Sequence, residues 1–305
     1  MLRELRFEVM GSEATIGIVG GRAKHLDQAR RQLEDRHRRW TRFDPDSEIS
    51  RLNASRGRIC IVSSDTFELI TTAVDGWTLT QGRFDPTVLD AVRSIGYRSS
   101  WSPEQRWEPT RCSPAPGCGG IVLHPRINGV ELPGGVGLDV GGVAKGVAAD
   151  LAVESLLEWG AAGAIASIGG DIAVAGLSPR PGGWTIDVTP ASRALGRDTI
   201  IRLNAGGVCT SSSAKRTWTT PRGPAHHVID PATGTSSETP FAAATAVCRR
   251  AAGAEIAATA ALVAGEGVGL FDELGVPGLI VGSGGQVAST TSFARLTAAP
   301  SGRVA

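Results

Sequence analysis

The stretch Ala251-Ala-Gly-Ala-Glu255-Ile-Ala-Ala-Thr259-Ala-Ala-Leu262 reads as a helix of small and apolar residues carrying one carboxylate and one hydroxyl. Glu255 and Thr259 stand i, i+4, which puts both oxygens on one face, one turn apart. Oxygens so placed make a small site of the kind a hard cation such as Mg2+ uses beside a phosphate. The same pattern fits an acid and a threonine that happen to lie on a packed helix, and the stretch alone leaves both readings open. Just upstream, Thr245–Cys248 predicts a strand leading into this helix, and Leu279–Val281 predicts a late strand.

Further out, Val143 to Trp159 predicts a long helix, followed by strand runs at Ala164–Ile168, Ile172–Ala175, Trp184–Val188 and Thr199–Leu203. At the start, Leu5, Phe7 and Val9 alternate with charges as in a half-buried strand. Thr15–Val19 reads as its hairpin partner, with Gly11-Ser12 in the turn region. Leu26, Ala29, Leu33 and Trp40 recur at near-helical spacing and predict an amphipathic helix over 24–40. A second helix, capped by Ser64 or Asp65, would bury Ile70, Val74 and Trp77. Residues 98–136 are rich in Pro, Ser, Gly and Arg and predict an irregular connection with an edge strand at Ile121-Val-Leu. Hairpin-type strands without regular βαβ alternation predict an α+β fold. We expect one domain over residues 1–297 and a flexible C-terminal tail over 298–305.

The composition excludes several classes. The chain has 305 residues, 41% hydrophobic and 20% charged, as in an ordinary globular protein with a substantial core. A net charge of +1 leaves no overall field to attract nucleic acid or an anionic membrane. Five cysteines without a CxxC pair argue against a zinc site or a disulfide framework and for reduced thiols. The N-terminal segment alternates charged and apolar residues and shows no signal-peptide h-region. With no run of about 18 uncharged apolar residues, no transmembrane helix is expected, and the reduced thiols and missing signal pattern lead us to expect a cytoplasmic location.

Three motifs carry chemistry. Gly137-Leu-Asp139-Val-Gly141-Gly142-Val-Ala-Lys145-Gly146 reads as a strand-to-helix turn whose backbone N–H groups suit an anion, with Lys145 as a point charge. A tight structural turn fits equally. Ile168-Gly169-Gly170-Asp171 is a second place where backbone can approach a ligand. Thr210-Ser-Ser-Ser213 precedes His226-His227-Val-Ile-Asp230-Pro231, and a histidine near a hydroxyl can serve as a general base. Arg42-Phe43-Asp-Pro-Asp-Ser47-Glu48-Ile-Ser50-Arg-Leu-Asn53 and Gly82-Arg-Phe84-Asp85-Pro86-Thr87-Val88 read as polar turns with N-caps.

Taken in order, these segments resemble the FAD:protein FMN transferase family, the ApbE-type flavin transferases. The matching pieces run from Phe-Glu-Val-Met10-Gly-Ser through Phe43–Asn53, Gly82–Val88, Leu138–Gly146, Ile168–Asp171, Gly183–Pro190, Thr210-Ser-Ser and His227–Gly234 to Ala254–Leu262. The resemblance implies a T-fold-like α+β enzyme with a mixed, largely antiparallel sheet. It implies transfer of the FMN half of FAD to a Thr or Ser hydroxyl of an acceptor protein, with release of AMP. FAD is then a substrate and Mg2+ the cofactor. By position, Met10, Phe43, Phe84, Asp85, Pro86, Asp139, Lys145, Gly169 and Gly170 would contact FAD. The Gly142 carbonyl, Glu255 and Thr259 would hold the metal, and His227 would take the acceptor proton.

The chain departs from the family pattern at three places. Glu255 stands where an aspartate is usual, Ala258 where a second acid often precedes the threonine, and Ser212 where the pattern has glycine. Two other readings stay open: an Mg2+-dependent FAD pyrophosphatase, with water in place of the acceptor hydroxyl, and a flavin-binding protein without catalysis.

Overall fold

Charged and apolar residues alternate over Leu2–Val9 (β1), and this strand pairs with Ser12–Val19 (β2) through a turn at Met10 and Gly11. Both turn residues have positive φ, 53° and 65°, the geometry whose twist matches that of a two-residue hairpin. A computed structural model describes residues 1–99, 110–188, 199–214, 216–221 and 223–297. The expected tail at 298–305 lies outside the described residues, as does part of the 98–136 connection.

After β2 come α1 (Lys24–Trp40), α2 (Glu48–Asn53), β3 (Cys60–Ile61), α3 (Ser64–Leu79) and α4 (Leu89–Ser94). Strands β4 (Val122–His124) and β5 (Gly129–Glu131) join β3 in a small sheet of order β3-β5-β4. Then follow α5 (Ala144–Glu158), β6 (Gly163–Ile168), β7 (Asp171–Gly176), β8 (Trp184–Asp187), β9 (Ile200–Leu203) and β10 (Gly206–Ser212). Two short hairpins come next: β11 (Thr217–Thr220) with β12 (Gly223–His226), and β13 (Ile229–Asp230) with β14 (Thr235–Ser236). The chain continues through β15 (Phe241–Cys248), α6 (Ala251–Ala264), α7 (Gly269–Glu273), β16 (Gly278–Gly282), β17 (Val287–Ser289) and α8 (Thr291–Ala294).

The main sheet has eight strands in the order β1-β2-β6-β7-β10-β15-β16-β17, each antiparallel to its neighbours. Both of its faces are covered. On one side Ile16, Ala166, Cys209, Ala244 and Ala246 pack against α1, α5 and α6. On the other, Val208, Val247, Leu279 and Val281 pack with the β8–β9 ribbon and Phe293 of α8. Double burial explains why β15 shows no polar alternation. The α+β class with a largely antiparallel sheet is what the structure shows. Among the described residues, no helix is long and apolar enough to cross a membrane.

Several local expectations are corrected. The cap of α3 is Ser63, one residue earlier than read, and its hydroxyl accepts from the Thr66 amide. Leu69, Ile70, Ala73 and Gly76 form the buried stripe of α3, while Val74 and Trp77 are half-buried. The segment from Arg42 to Asn53 contains a short helix, α2, capped by the Ser47 hydroxyl, while the residues from Gly82 to Val88 form a turn that leads into α4. A loop, not a strand, leads into α5. The Thr210–Ser212 hydroxyls sit on a central strand, β10, that hydrophobic periodicity did not reveal.

Helices α5 and α6 lock together by exchanging carboxylates. Asp150 on α5 accepts from the first amides of α6, Ala251 at 2.8 Å and Ala252 at 3.0 Å. No residue at the start of α6 provides a capping side chain, so Asp150 satisfies donors that would otherwise be orphaned. In return, Glu255 on α6 accepts from the Gly146 amide in the first turn of α5 at 2.8 Å.

This exchange needs the two backbones to touch. A Cβ added at Gly146 would lie 2.7 Å from both the Cα and N of Ala252. Gly146→Ala should therefore destabilise the fold by about 1–3 kcal/mol through overpacking. Gly269→Ala, where nothing lies within 4 Å of the added carbon, serves as the control. Urea unfolding of both variants checks this; equal midpoints for Gly146→Ala and the wild type would show that the contact is not limiting.

Candidate active site

The start of α5 gathers two buried carboxylates around one lysine. Lys145 donates to Asp171 on β7 and, at 2.6 Å, to Glu255 Oε1 on α6. The side chains of Asp171 and Glu255 are each 3% exposed and that of Lys145 is 19% exposed. Burial alone would lower the lysine pKa, but the two carboxylates outweigh it and hold Lys145 above its ordinary value. Burial pushes Glu255 up to about 7, against the pull of Lys145 and the Gly146 amide. Lys145 is thus an ammonium clamped between two acids, and the carboxylate of Glu255 already sits at the helix N-terminus where an anion is favoured.

One turn after Glu255, the Thr259 hydroxyl lies 2.9 Å from the Ser211 hydroxyl of β10. Gly142 sits over the same spot: a Cβ there would be 3.3 Å from the Phe84 ring and 3.8 Å from Thr259 Oγ1. Gly142 is therefore adjacent to Thr259, and Glu255 lies one turn before Thr259 on the same helix. Every donor there is an oxygen, and each Glu255 oxygen keeps a lone pair beyond its present hydrogen bond. Among the described residues no cluster of three His, Cys, Asp or Glu exists that could hold a metal by itself. The donor set fits a hard, oxygen-ligated cation and not a soft transition metal.

The other residues named for FAD contact lie in loops and turns. Gly169 and Gly170 make the β6–β7 turn with φ of 63° and 98°. A Cβ at Gly169 would lie 2.8 Å from Ser12 Oγ and 3.7 Å from Lys145 Cδ, so the turn packs on the lysine stem. Met10 is in the β1–β2 turn, whose Gly11 lies against the Arg216 guanidinium. Asp85 is buried, and its Oδ1 accepts from the Thr87 amide and hydroxyl at 2.7 and 2.6 Å. Burial raises its pKa, with the Thr87 bonds opposing. The Pro86 carbonyl accepts from the Asp139 amide at 2.8 Å, which ties that loop to the Gly141–Gly142 turn. Asn53 fastens the same turn, donating to the Leu138 carbonyl and accepting from its amide at 2.9 and 2.7 Å.

Asp139 is not an open carboxylate. Its Oδ1 accepts from the Gly141 amide at 2.8 Å and its Oδ2 pairs with Arg42 Nε at 2.8 Å. Phe43 stands beside Arg42, 5.9 Å from the Tyr97 ring. Sequence reasoning named Phe43 and Asp139 but missed Arg42 and Tyr97, which connect them. The available signal was slight: Arg42 heads the Phe43 segment, and Tyr97 is the single tyrosine of the chain.

The two histidines differ. His226 ends β12, with Nε2 at 3.1 Å from the Ser237 carbonyl, so that nitrogen carries the proton. Its Nδ1 is buried without a partner and burial lowers its pKa. His227 is half-buried in the next position, outside the strand. The turn that follows it is tied to the Asp85 loop through a short bridge: Ala115 donates to the Pro231 carbonyl at 2.8 Å and Gly117 to Thr87 Oγ1 at 2.9 Å. The hydroxyl cluster expected to serve a histidine bonds elsewhere. Thr210 meets Thr245, Ser211 meets Thr259, Ser212 meets the Ala242 carbonyl, and Ser213 meets the Phe241 carbonyl.

Lys145→Met should leave Asp171 and Glu255 facing one another without a cation. Removing one partner of a buried pair costs about 3–5 kcal/mol. The sign of its pH dependence follows from burial. Burial holds Glu255 above its ordinary value, so its anion is disfavoured in the folded state and stability falls as pH rises from its unfolded pKa through the folded one. The variant should therefore recover stability at pH 5 relative to pH 8, a trend that urea midpoints at the two pH values will show or refute.

A sequence model of the ApbE family matches residues 10–279. A Salmonella typhimurium protein named FAD:protein FMN transferase is 25% identical over 243 residues, covering 75% of this chain and 69% of the relative. The crystal structure of an ApbE protein from Thermotoga maritima superposes with a TM-score of 0.85 at 24% identity, covering 98% of this chain and 100% of that one. The apo flavinyl transferase ApbE of Pseudomonas stutzeri superposes at 0.82 with 22% identity, covering 98% of each chain. The flavin transferase ApbE of Vibrio cholerae gives 0.79 at 21% identity, covering 97% and 99%. The family match spans most of the chain and takes in the Gly142 turn, the Lys145 cluster and the Thr259 face, and this protein belongs to the ApbE family.

Proposed function

We propose that this chain, acting as one catalytic domain over residues 1–297, transfers the FMN half of FAD to a Thr or Ser hydroxyl of an acceptor protein and releases AMP. The observation that carries the reading is the junction of α5 and α6, where Gly142, Lys145, Glu255 and Thr259 meet beside two glycine turns. That combination suits a pyrophosphate: a fixed ammonium, close backbone, and oxygen donors for a hard cation. The name of the Salmonella typhimurium relative, FAD:protein FMN transferase, supports the transfer of FMN from FAD to a protein.

In this reading Gly142, Glu255 and Thr259 hold Mg2+, which would neutralise charge on the phosphate oxygens. Lys145 keeps Glu255 and Asp171 in place and presents its charge to the pyrophosphate end. Met10, Phe43, the Phe84–Pro86 loop, Asp139 and the Gly169–Gly170 turn shape the FAD cleft. His227 accepts the proton of the acceptor hydroxyl as its oxygen bonds to the FMN phosphorus. The bond from that phosphorus to the bridging oxygen breaks, and AMP leaves with the electron pair. Acceptor and base must approach within hydrogen-bond reach for this transfer. The family pattern places His227, ahead of Val-Ile-Asp-Pro, in this role, and the Nδ1 of His226 is buried.

Purified protein given FAD, Mg2+ and an acceptor should release AMP and leave a covalently fluorescent acceptor. AMP without acceptor labelling would favour the pyrophosphatase, and no AMP at all the non-catalytic binder. His227→Ala should slow transfer by about 10²–10⁴-fold with FAD affinity nearly unchanged. A harmless His227→Ala beside a crippling His226→Ala would reverse the assignment. Glu255→Ala should abolish AMP release while FAD still binds, and full activity of that variant in a chelator would count against the metal site.

A further inference from the structure

Arg42 lies between α1 and α2 with its side chain only 7% exposed, deep for a group that is always charged. Its Nε pairs with Asp139 Oδ2 and its Nη2 donates to the Tyr97 carbonyl, both at 2.8 Å. Its guanidinium carbon stands 4.3 Å from the centroid of the Phe43 ring and 4.7 Å from that of Tyr97. Tyr97 in turn lies 5.7 Å from the Trp218 ring, whose Nε1 donates to the Ile95 carbonyl at 3.1 Å. Phe43, by contrast, is 38% exposed and keeps part of its ring open.

One side chain thus joins two parts of the cleft. On one side it stacks with an aromatic pair. On the other it holds Asp139, whose second oxygen accepts from the Gly141 amide at 2.8 Å. Gly142, the next residue, sits against Phe84 and Thr259. A planar fork with donors in two directions and two flat faces can make all these contacts at once, and an ammonium cannot.

We infer that Arg42 is a positioning residue that fixes the Phe43 ring relative to the Gly141–Gly142 turn, and so sets the distance between the ring subsite and the phosphate subsite of one dinucleotide ligand. The inference rests on the FAD reading of this cleft. It makes a specific demand: a ligand spanning both subsites depends on Arg42 more than a ligand that fills only the ring end.

The chain contains one tyrosine, so protein grown with fluorotyrosine gives a single fluorine resonance, from Tyr97. Wild-type protein with Mg2+ is titrated with FAD and with FMN, following that resonance and flavin fluorescence. Arg42→Lys, which keeps the charge beside Asp139 but loses the stack and the fork, should bind FAD about tenfold more weakly. Its FMN affinity should change less, so the preference for FAD shrinks. Asp139→Asn, which keeps the side chain's shape and weakens the pair with Arg42, should shrink the preference in the same direction and gives an independent reading if Arg42→Lys does not fold. Folded variants with wild-type affinities for both flavins and an unchanged Tyr97 response would overturn the inference while leaving the FAD reading intact. Failure of the wild type to bind FAD would overturn that reading, and the inference with it.

Discussion

The backbone contact between α5 and α6 is the constraint on which the site depends. Gly146 has no side chain, and the first residues of α6 come against its Cα. Gly207 of β10 meets the same place: a Cβ there would lie 2.2 Å from the Cα of Ala251. A helix start, a helix and a central strand therefore converge on Ala251 and Ala252. At this separation the Glu255 carboxylate reaches the Gly146 amide and Lys145, and Ser211 on β10 reaches Thr259. A wider separation would dissolve all three contacts together.

Charge is then placed where backbone donors already favour it. Glu255 sits at the start of α5 and Asp150 at the start of α6, each supplied by the other helix. Anions are favoured at helix N-termini, and here the protein's own carboxylates fill those positions. Lys145 completes the arrangement by compensating Asp171 and Glu255, which could not both be buried as anions without it. The start of α5 is therefore already organised by a carboxylate of the protein itself. The aromatic side of the cleft is organised by a different ion pair, Arg42 with Asp139, and the Gly141–Gly142 turn belongs to both sides.

Much of this was legible without coordinates. Periodicity located α1 at Lys24–Trp40 and the body of α5, because amphipathic or small-residue helices declare themselves by spacing. The β1–β2 and β6–β7 hairpins were legible from alternation and from Gly169-Gly170. β10 and the first half of β15 were not, since a strand of Gly, Ser and Thr or of alanines has no strong β signature until the sheet around it is known. The short helices α2 and α4 were hidden for a similar reason: six residues carry too little periodicity to separate a helix from a capped turn.

The sequence by itself determined the fold class, the positions of the long elements and the residue types of the site, because these are set by local spacing and by side-chain chemistry. Glu255 and Thr259 share a face by helix geometry alone. Only the tertiary structure decided what each group does with its bonds. It turned Lys145 onto Asp171 and Glu255, closed Asp139 between Gly141 and Arg42, and engaged His226 with Ser237. The partners are far apart in the chain: Arg42 and Tyr97 are separated by 55 positions, and Lys145 and Glu255 by 110. No local pattern encodes such pairs. They form because burying a charge or a polar group forces it to find a partner, and which partner is near is settled by how the helices pack on the sheet.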